Sequence, residues 1–106
     1  MNSVQLAGNL ARDHKVTELD NGKKVLRNAV AINNGKDKPA TFINFTAWNK
    51  TADIIEKFTE KGDPIVIEAF LRNNNYTNKD GQKVYDLEVA ANRVTLVGGK
   101  EYVFVP

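Results

Sequence analysis

The sequence predicts an all-β protein in which five strands close a small barrel and one α-helix lies between the third and fourth strands. Three observations support this fold class. Along most of the 106 residues, apolar and polar side chains alternate in short segments, a pattern typical of half-buried strands. Helical periodicity is confined to one segment, residues 51–61. Asn-Gly at 21–22 and Asp-Gly at 80–81 are typical hairpin turns, so antiparallel neighbours are expected in the sheet.

The first two barrel strands are predicted over residues 3–10 and 24–33, with a short strand over residues 15–19 between them. Apolar residues occupy alternate positions in residues 3–10, and Gly8 on the same face indicates a bend or a bulge. The Asn-Gly turn then joins a short strand at 15–19 to a long strand at 24–33. The long strand has one apolar face, interrupted by Asn28, and one flat polar face.

The third barrel strand, residues 41–48, carries aromatic side chains on both of its faces. One face is apolar throughout: Ile43, Phe45 and Ala47. The other face holds Phe42 and Trp48, separated by small polar residues. Because the first face already supplies core side chains, we expect the rings of Phe42 and Trp48 to be available to a ligand. Small residues between two rings leave room for a planar group to lie flat on them.

One helix, one hairpin arm and two barrel strands complete the chain. The helix is predicted over 51–61, with Gly62 at its C′ position. The fourth barrel strand is predicted over 65–72 and the fifth over 83–97, with the hairpin arm between them. A phase change in the apolar pattern near Ala90–Ala91 predicts a β-bulge in the last strand.

The order of the elements and the chain length define the domain organisation. Five strands with one helix between the third and the fourth is the order of an OB-fold. A chain of 106 residues has the usual size of one domain. We therefore predict an OB-fold domain over residues 1–97 and a short C-terminal extension over residues 98–106.

The composition leaves little for catalysis or metal binding. The chain has no cysteine, which excludes disulfides, thiolate chemistry and zinc–sulfur sites. It has one histidine, His14, and one serine, Ser3, and no nucleophile motif surrounds Ser3. We expect His14 to be a surface residue, and we predict no catalytic residue, no metal site and no cofactor. Two carboxylate pairs, Asp13 with Glu18 and Asp86 with Glu88, are interpreted as solvated strand faces.

Net charge and hydropathy limit the partners and the location. The formal net charge is +2, from 15 Lys and Arg against 13 Asp and Glu, which permits a polyanionic partner without requiring one. No segment approaches the ~20 apolar residues of a membrane span. The N-terminus lacks the basic and apolar regions of a secretion signal. We therefore expect a cytoplasmic protein with no membrane contact.

Several segments resemble single-stranded DNA-binding proteins of bacteria and phages. Residues 2–10 resemble the first strand of that family through the motif NSVQLAGNL. Residues 41–52 resemble its third strand and the start of its helix through TFINFTAWNKTA. Residues 61–68 are similar to its fourth strand through KGDPIVIE, and residues 80–89 to its last hairpin. The similarity runs over residues 2–96 with matching order and spacing.

This resemblance implies a protein that binds single-stranded DNA without sequence specificity and catalyses no reaction. In the family, aromatic side chains stack on bases, and Phe42, Trp48 and Tyr76 fall on its stacking positions. Arg72 falls where the family grips the strand. The family usually forms homotetramers and acts in DNA replication and recombination, so replication or recombination proteins are candidate partners. A flexible linker and an acidic C-terminal tip are absent from the end of this sequence, which favours a phage-like or minimal member.

Binding of this kind also needs cations that follow the phosphates. Loops and strand ends around the Phe42 face carry the candidates: Lys15, Arg27, Lys36, Lys38, Lys50 and Arg72. Val66 and Phe70 lie on an outward strand face, where exposed apolar side chains favour a contact between subunits. Tyr85 shares its parity with Leu87 and Val89, two apolar positions of the last strand, so we expect it in the core or at its edge.

Two other functions remain open at this point. An OB-fold also serves as a module that binds RNA, an oligosaccharide or a replication protein, and the fold alone does not choose among these ligands. A small carboxylate-based hydrolase is the third interpretation, although no nucleophile, metal cluster or phosphate loop supports it. Competition with oligo-dT separates the binding functions, and retained binding without product formation excludes the enzyme.

Overall fold

Strands make up most of the protein in the computed structural model, which describes residues 1–96 and the segment 104–105. The elements follow in this order: β1 (Val4–Leu10), β2 (Lys15–Glu18), β3 (Lys24–Ile32), β4 (Thr41–Trp48), α1 (Asn49–Phe58), β5 (Pro64–Asn73), β6 (Tyr76–Thr77), β7 (Lys83–Val84), β8 (Leu87–Leu96) and β9 (Phe104–Val105). Each predicted strand has a counterpart within these residues, and the strand predicted over 83–97 is divided into β7 and β8.

Five of these strands close a barrel. β1 pairs antiparallel with both β3 and β5, β5 pairs with β8, and β3 pairs with β4. The ring closes through a parallel pairing of β4 with β8, at Thr46 with Ala90 and at Ala47 with Ala91. Because α1 connects β4 to β5, the helix lies between the third and fourth barrel strands. This is the topology of an OB-fold, and the predicted fold class is confirmed.

Gly8 lies where β1 passes from one neighbouring strand to the other. Val4 to Asn9 pair with β5, whereas Asn9 and Leu10 pair with β3. A Cβ atom on Gly8 would lie 2.3 Å from the carbonyl oxygen of Ala31 in β3, which is closer than any side-chain atom tolerates. Glycine at this position therefore serves a close approach of two backbones, one of the uses of glycine within strands.

Apolar side chains from the barrel strands and from α1 form one core. Leu26 and Ile67 are fully buried and Phe45 is 2% exposed, so the barrel interior is filled by side chains. Ala52 and Ile55 of α1 belong to the same buried cluster. Because the inner faces of the strands are used for packing, ligand contacts must come from outer faces, connections and the hairpin arm.

The β-bulge predicted near Ala90–Ala91 is confirmed. Glu68 of β5 pairs with Arg93, and the next residue of β5 pairs with Ala91, which leaves Asn92 as the extra residue of β8. Ala90 and Ala91 are consecutive and both buried. The bulge therefore explains why the apolar pattern of the last strand changes phase.

The helix ends earlier than predicted. α1 ends at Phe58, and Thr59 follows in an extended conformation, with its backbone N–H donating to the carbonyl of Ile55 at 3.1 Å. Gly62 belongs to the next turn, with φ of 91°, and its N–H donates to the carbonyl of Leu10 at 2.8 Å. The predicted C′ role of Gly62 was wrong because the chain leaves the helix at Thr59 to bond with another part of the fold.

A partly buried polar network connects Thr59 with His14 and Asn28. The side-chain amide of Asn28 donates to the Arg12 carbonyl at 2.8 Å and to His14 Nδ1 at 3.0 Å. With Nδ1 accepting, the His14 proton lies on Nε2, which is 3.0 Å from both the carbonyl oxygen and Oγ1 of Thr59. The expectation that His14 is a surface residue holds only in part: the ring is partly exposed, and it takes part in a network that holds β3, the β1–β2 connection and the end of α1 together.

Tyr85 is 77% exposed, so the expectation that it belongs to the core or its edge was wrong. The parity argument assumed one continuous last strand. In the structure, β7 ends at Val84 and β8 begins at Leu87, so the alternation of β8 does not extend back to Tyr85.

The predicted C-terminal extension, residues 98–106, lies outside the described residues except for 104–105. There, β9 pairs antiparallel with β8. The boundary between a domain at 1–97 and an extension stays a prediction. Among the residues that the structure describes, no helix has the length and apolar character needed to cross a bilayer.

Candidate nucleic-acid interface

A groove with a volume of about 530 Å³ crosses the outer side of β3 and β4. Three cationic side chains line it, those of Arg12, Lys15 and Arg27. Asn44 and Thr46 of β4 contribute polar groups, and residues 86–89 at the start of β8 form part of its wall. The groove therefore combines three cations with neutral polar groups and with two carboxylates, those of Asp86 and Glu88.

Strand register places two of these cations directly opposite each other. Lys15 of β2 pairs with Arg27 of β3, and Arg27 pairs in turn with Thr46 of β4. Like charges at directly opposed positions destabilise a sheet, and an anion bound between them relieves that repulsion. The third cation, Arg12, donates a hydrogen bond from its guanidinium to the side-chain oxygen of Asn44. This part of the groove is suited to a phosphate.

Phe42 lies on the same strand face, two residues before Asn44. Its side chain is 65% exposed. Its cross-strand partner in β3 is Ala31, whose methyl group is too small to cover the ring. The predicted availability of Phe42 to a ligand is consistent with this exposure, because an uncovered phenyl ring near the start of β4 offers a planar apolar surface.

Trp48 is only partly exposed, and a cation covers one face of its ring. The guanidinium carbon of Arg72 lies 4.1 Å from the ring centroid, which is a stacked cation–π contact. Arg72 Nε also donates to Glu88 at 2.9 Å, and Glu88 is one of the residues that line the groove. The structure thus brings the predicted residues Trp48 and Arg72 into contact with each other.

Tyr76 lies on a short hairpin arm formed by β6 and β7. Its side chain is 54% exposed, and its cross-strand partner is Val84. At the base of the arm, the N–H of Asn74 donates to the carbonyl of Asp86 at 2.9 Å. At the tip, the side-chain oxygen of Asn78 accepts two backbone hydrogen bonds, each of 3.0 Å. These bonds hold the arm, and with it the tyrosine ring, in a defined shape.

The predicted lysines outside the groove fall at opposite ends of β4. Lys36 and Lys38 are exposed on the connection between β3 and β4, at the end near Phe42. That connection is held by Asn34, whose amide donates to the Pro39 carbonyl at 2.9 Å. The two lysines are therefore placed to contact a strand that passes over Phe42.

Lys50 lies at the other end of β4, in the first turn of α1, and does not line the groove. It borders a smaller recess together with Glu18 and Asp53. Lys24, in the same recess, forms ion pairs with Asp53 at 2.7 Å and with Glu56 at 2.8 Å. These hydrogen bonds, that of Asp53 first, raise the pKa of Lys24. Two carboxylates and two lysines line the recess, and Lys24 is already paired. The groove has three cations for its two carboxylates, so it is better suited to a phosphate.

Val66 and Phe70 lie on β5 and are partly exposed. Val66 pairs with Ala7 of β1 and Phe70 pairs with Ala90 of β8. Neither residue lines the groove. Their assignment to a subunit contact stays a prediction.

Sequence reasoning missed most of the residues that line the groove, among them Arg12, Asn44, Leu87 and Glu88. Glu88 was expected on a solvated strand face, but its side chain is 13% exposed and is bonded to Arg72. Arg12 lies in a connection with no periodic pattern, so nothing local indicated its direction. Leu87 is 64% exposed although its parity assigned it to the apolar face of the last strand. The sequence feature that could have indicated this exposure was the position of Leu87 immediately after the hairpin arm, where the strand enters the sheet.

Among the described residues, no group of acidic or histidine side chains is arranged to bind a metal ion.

The chain is similar to known proteins over most of its length. The model of a family described as the single-strand binding protein family matches residues 1–97. The chain is 36% identical over 97 residues to single-stranded DNA-binding protein 1 of Lactococcus lactis, a match that covers 86% of this chain and 64% of that protein. It is 30% identical over 105 residues to single-stranded DNA-binding protein A of Bacillus subtilis, with 94% and 61% covered. A third relative, single-stranded DNA-binding protein 1 of Xylella fastidiosa, is 31% identical over 109 residues, with 95% and 80% covered.

Proposed function

The chain belongs to the single-strand binding protein family, and from this premise we propose that it binds single-stranded DNA without sequence specificity. Aromatic stacking and phosphate contacts supply the affinity, and the bound protein protects the strand during replication, recombination or repair. The names of the relatives in Lactococcus lactis and Bacillus subtilis support this choice of ligand. The chain spans 64% and 61% of the lengths of these two relatives, so the proposal concerns the part that they share with it.

One observation carries the proposal: an exposed aromatic ring and a cationic groove lie next to each other on one sheet face. Phe42 is 65% exposed, and Asn44 on the same strand face lines the groove. A base stacked on Phe42 buries the apolar ring, while the adjoining phosphate reaches the opposed pair Lys15 and Arg27. Stacking and charge neutralisation are the two interactions that sequence-independent single-strand binding requires.

Each candidate residue has a role in this proposal. Phe42, Trp48 and Tyr76 stack on bases, and each stack contributes on the order of 1–3 kcal/mol. Lys15, Arg27 and the arginines Arg12 and Arg72 contact phosphates in or beside the groove, and Lys36 and Lys38 extend the path beyond Phe42. We expect the smallest contribution from Lys50, because its recess also contains Glu18 and Asp53.

Binding of this kind has no sequence preference because every base has a π-face and every nucleotide has a phosphate. Neutralisation of each phosphate releases counterions from the strand, so affinity falls as the salt concentration rises. The protein acts by occupying the strand, and no chemical step is required of it.

The proposal extends to the oligomeric state, the cellular location and the protein partners. Val66 and Phe70 are partly exposed apolar residues on β5, and we expect them to form a contact between copies in a homotetramer. Exposed DNA strands are found in the cytoplasm of a bacterial cell or of a phage-infected host, which is where such a protein acts. Replication or recombination proteins that work on the same strands are the expected further partners.

Titration with oligo-dT tests the proposal directly. Trp48 is the single tryptophan of the chain, so quenching of its fluorescence reports on one site. We expect strong quenching by oligo-dT, a weak response to a matched duplex, and an affinity that decreases with added salt. A mobility shift measures binding independently of the fluorescence. Equal affinity for duplex would contradict the proposal, and a clear preference for oligo-rU or for an oligosaccharide would replace DNA with another OB-fold ligand.

A further inference from the structure

We propose that Glu88 is a positioning residue for single-strand binding: it holds the guanidinium of Arg72 on the ring of Trp48, with the terminal nitrogens directed to a phosphate. This inference rests on the proposed function and assigns a role to a carboxylate in the middle of a cationic interface. The contacts of Arg72, the exposure of the pair and the charge of the groove each contribute to it.

Arg72 is held at two points. Arg72 of β5 and Glu88 of β8 are directly opposed in the sheet, and Nε donates to the Glu88 carboxylate at 2.9 Å. The guanidinium carbon also lies 4.1 Å from the centroid of the Trp48 ring. A side chain that is otherwise long and flexible is thereby fixed by one ion pair and one stacking contact.

The free end of Arg72 remains available. A guanidinium has five N–H donors, and the bond to Glu88 uses the one on Nε. Within the described part of the chain, Nη1 and Nη2 donate no hydrogen bond. The Arg72 side chain is 44% exposed, whereas that of Glu88 is 13% exposed. The carboxylate therefore lies on the protein side of the guanidinium, and the terminal nitrogens are left for a phosphate from solvent.

Glu88 also lines the groove that contains Arg12, Lys15 and Arg27. A carboxylate at this place repels an incoming polyanion, so its charge alone opposes binding. A positioning role instead strengthens DNA binding, because an Arg72 side chain that is already ordered does not have to be immobilised when the strand binds. Ordering a flexible side chain on binding weakens affinity by about 2- to 12-fold. The sign of the effect of removing Glu88 therefore separates positioning from simple repulsion.

Acrylamide quenching of Trp48 in the free protein tests the first half of this inference without any DNA. Glu88→Ala releases Arg72 from one of its two contacts, and we expect quenching to increase toward the value of Arg72→Ala. Glu88→Gln keeps an oxygen that accepts from Nε, and its quenching should lie near that of the wild type. Equal quenching in the wild type, Glu88→Ala and Arg72→Ala would overturn the inference. Thermal unfolding of each variant confirms that the fold is retained.

Oligo-dT affinity tests the second half, with Asp86→Asn as the matched control. Asp86 lines the same groove, and asparagine keeps the acceptor for the Leu87 N–H, so this variant removes only charge. We expect Asp86→Asn to bind more tightly, Glu88→Ala to bind about 2- to 12-fold more weakly, and Glu88→Gln to recover most of the loss. In the Arg72→Ala background, Glu88→Ala should cause no further weakening.

The two possible failures are distinguishable. If wild-type protein binds oligo-dT and Glu88→Ala binds more tightly, as Asp86→Asn does, Glu88 acts by repulsion and the positioning role is wrong. The same conclusion follows if Glu88→Ala weakens binding equally with and without Arg72. If the wild type itself does not bind oligo-dT, the proposed function is wrong, and the positioning role for a DNA phosphate is wrong with it.

Discussion

Replacement of Phe42 by alanine should weaken DNA binding while leaving the fold intact. A phenylalanine side chain presents roughly 200 Å², so an exposure of 65% corresponds to about 130 Å² of accessible ring. A base stacked on one face covers about half of this area. At about 25 cal/mol per Å², the loss of that burial corresponds to about 1.6 kcal/mol, or roughly a 15-fold decrease in affinity. Titration with oligo-dT at fixed salt measures this decrease, and urea denaturation measures stability.

Phe45→Ala is the matched control for this prediction. Phe45 is three residues along the same strand and is 2% exposed, so the same substitution removes a core side chain. We expect it to lower the free energy of unfolding by about 3–5 kcal/mol, whereas Phe42→Ala should change stability by less than about 0.5 kcal/mol. If Phe42→Ala bound oligo-dT like the wild type, or destabilised the fold like Phe45→Ala, the assignment of Phe42 to the binding face would be wrong.

Three further predictions concern charge, the partly buried network and assembly. Arg27→Ala should reduce the slope of log affinity against log salt by about 0.7. Lys24→Ala should leave this slope unchanged, because Lys24 is paired with carboxylates of α1. Equal slopes for the two variants would show that Arg27 does not contact a phosphate. His14→Ala should lower the free energy of unfolding, measured by urea denaturation, by about 1–3 kcal/mol, because Asn28 and Thr59 lose the ring that joins them. An unchanged urea midpoint of unfolding would show that the network contributes nothing to stability. Phe70→Asp should split the expected homotetramer, and an unchanged mass in light scattering would rule out β5 as the subunit contact.

The hairpin arm and the groove both carry exposed apolar side chains. Tyr76, Tyr85 and Leu87 are all more than half exposed, and Leu87 lines the groove where the arm joins β8. The apolar pattern alone assigned Tyr85 and Leu87 to the core. Their exposure extends the apolar surface near the base of the arm, next to the cations of the groove.

Local patterns were sufficient for the elements and for much of the binding face. Alternation in β4 separated buried Phe45 from exposed Phe42, because a strand places successive side chains on opposite faces whatever its neighbours are. The Asn-Gly and Asp-Gly turns predicted both hairpins, and the phase change near Ala90–Ala91 predicted the bulge, whose extra residue is Asn92 in the structure. These features depend on residues that are close in sequence.

The partners of each side chain were decided by the tertiary structure. Barrel closure brings β4 next to β8, and the register of β5 with β8 places Arg72 opposite Glu88, so that Trp48 acquires a guanidinium on its ring. Tertiary folding also connects His14 with Asn28 and Thr59 across three segments of the chain. Periodicity reports which face of one strand a residue occupies. It does not report which distant strand lies beside that face, because this depends on register and closure summed over the whole barrel.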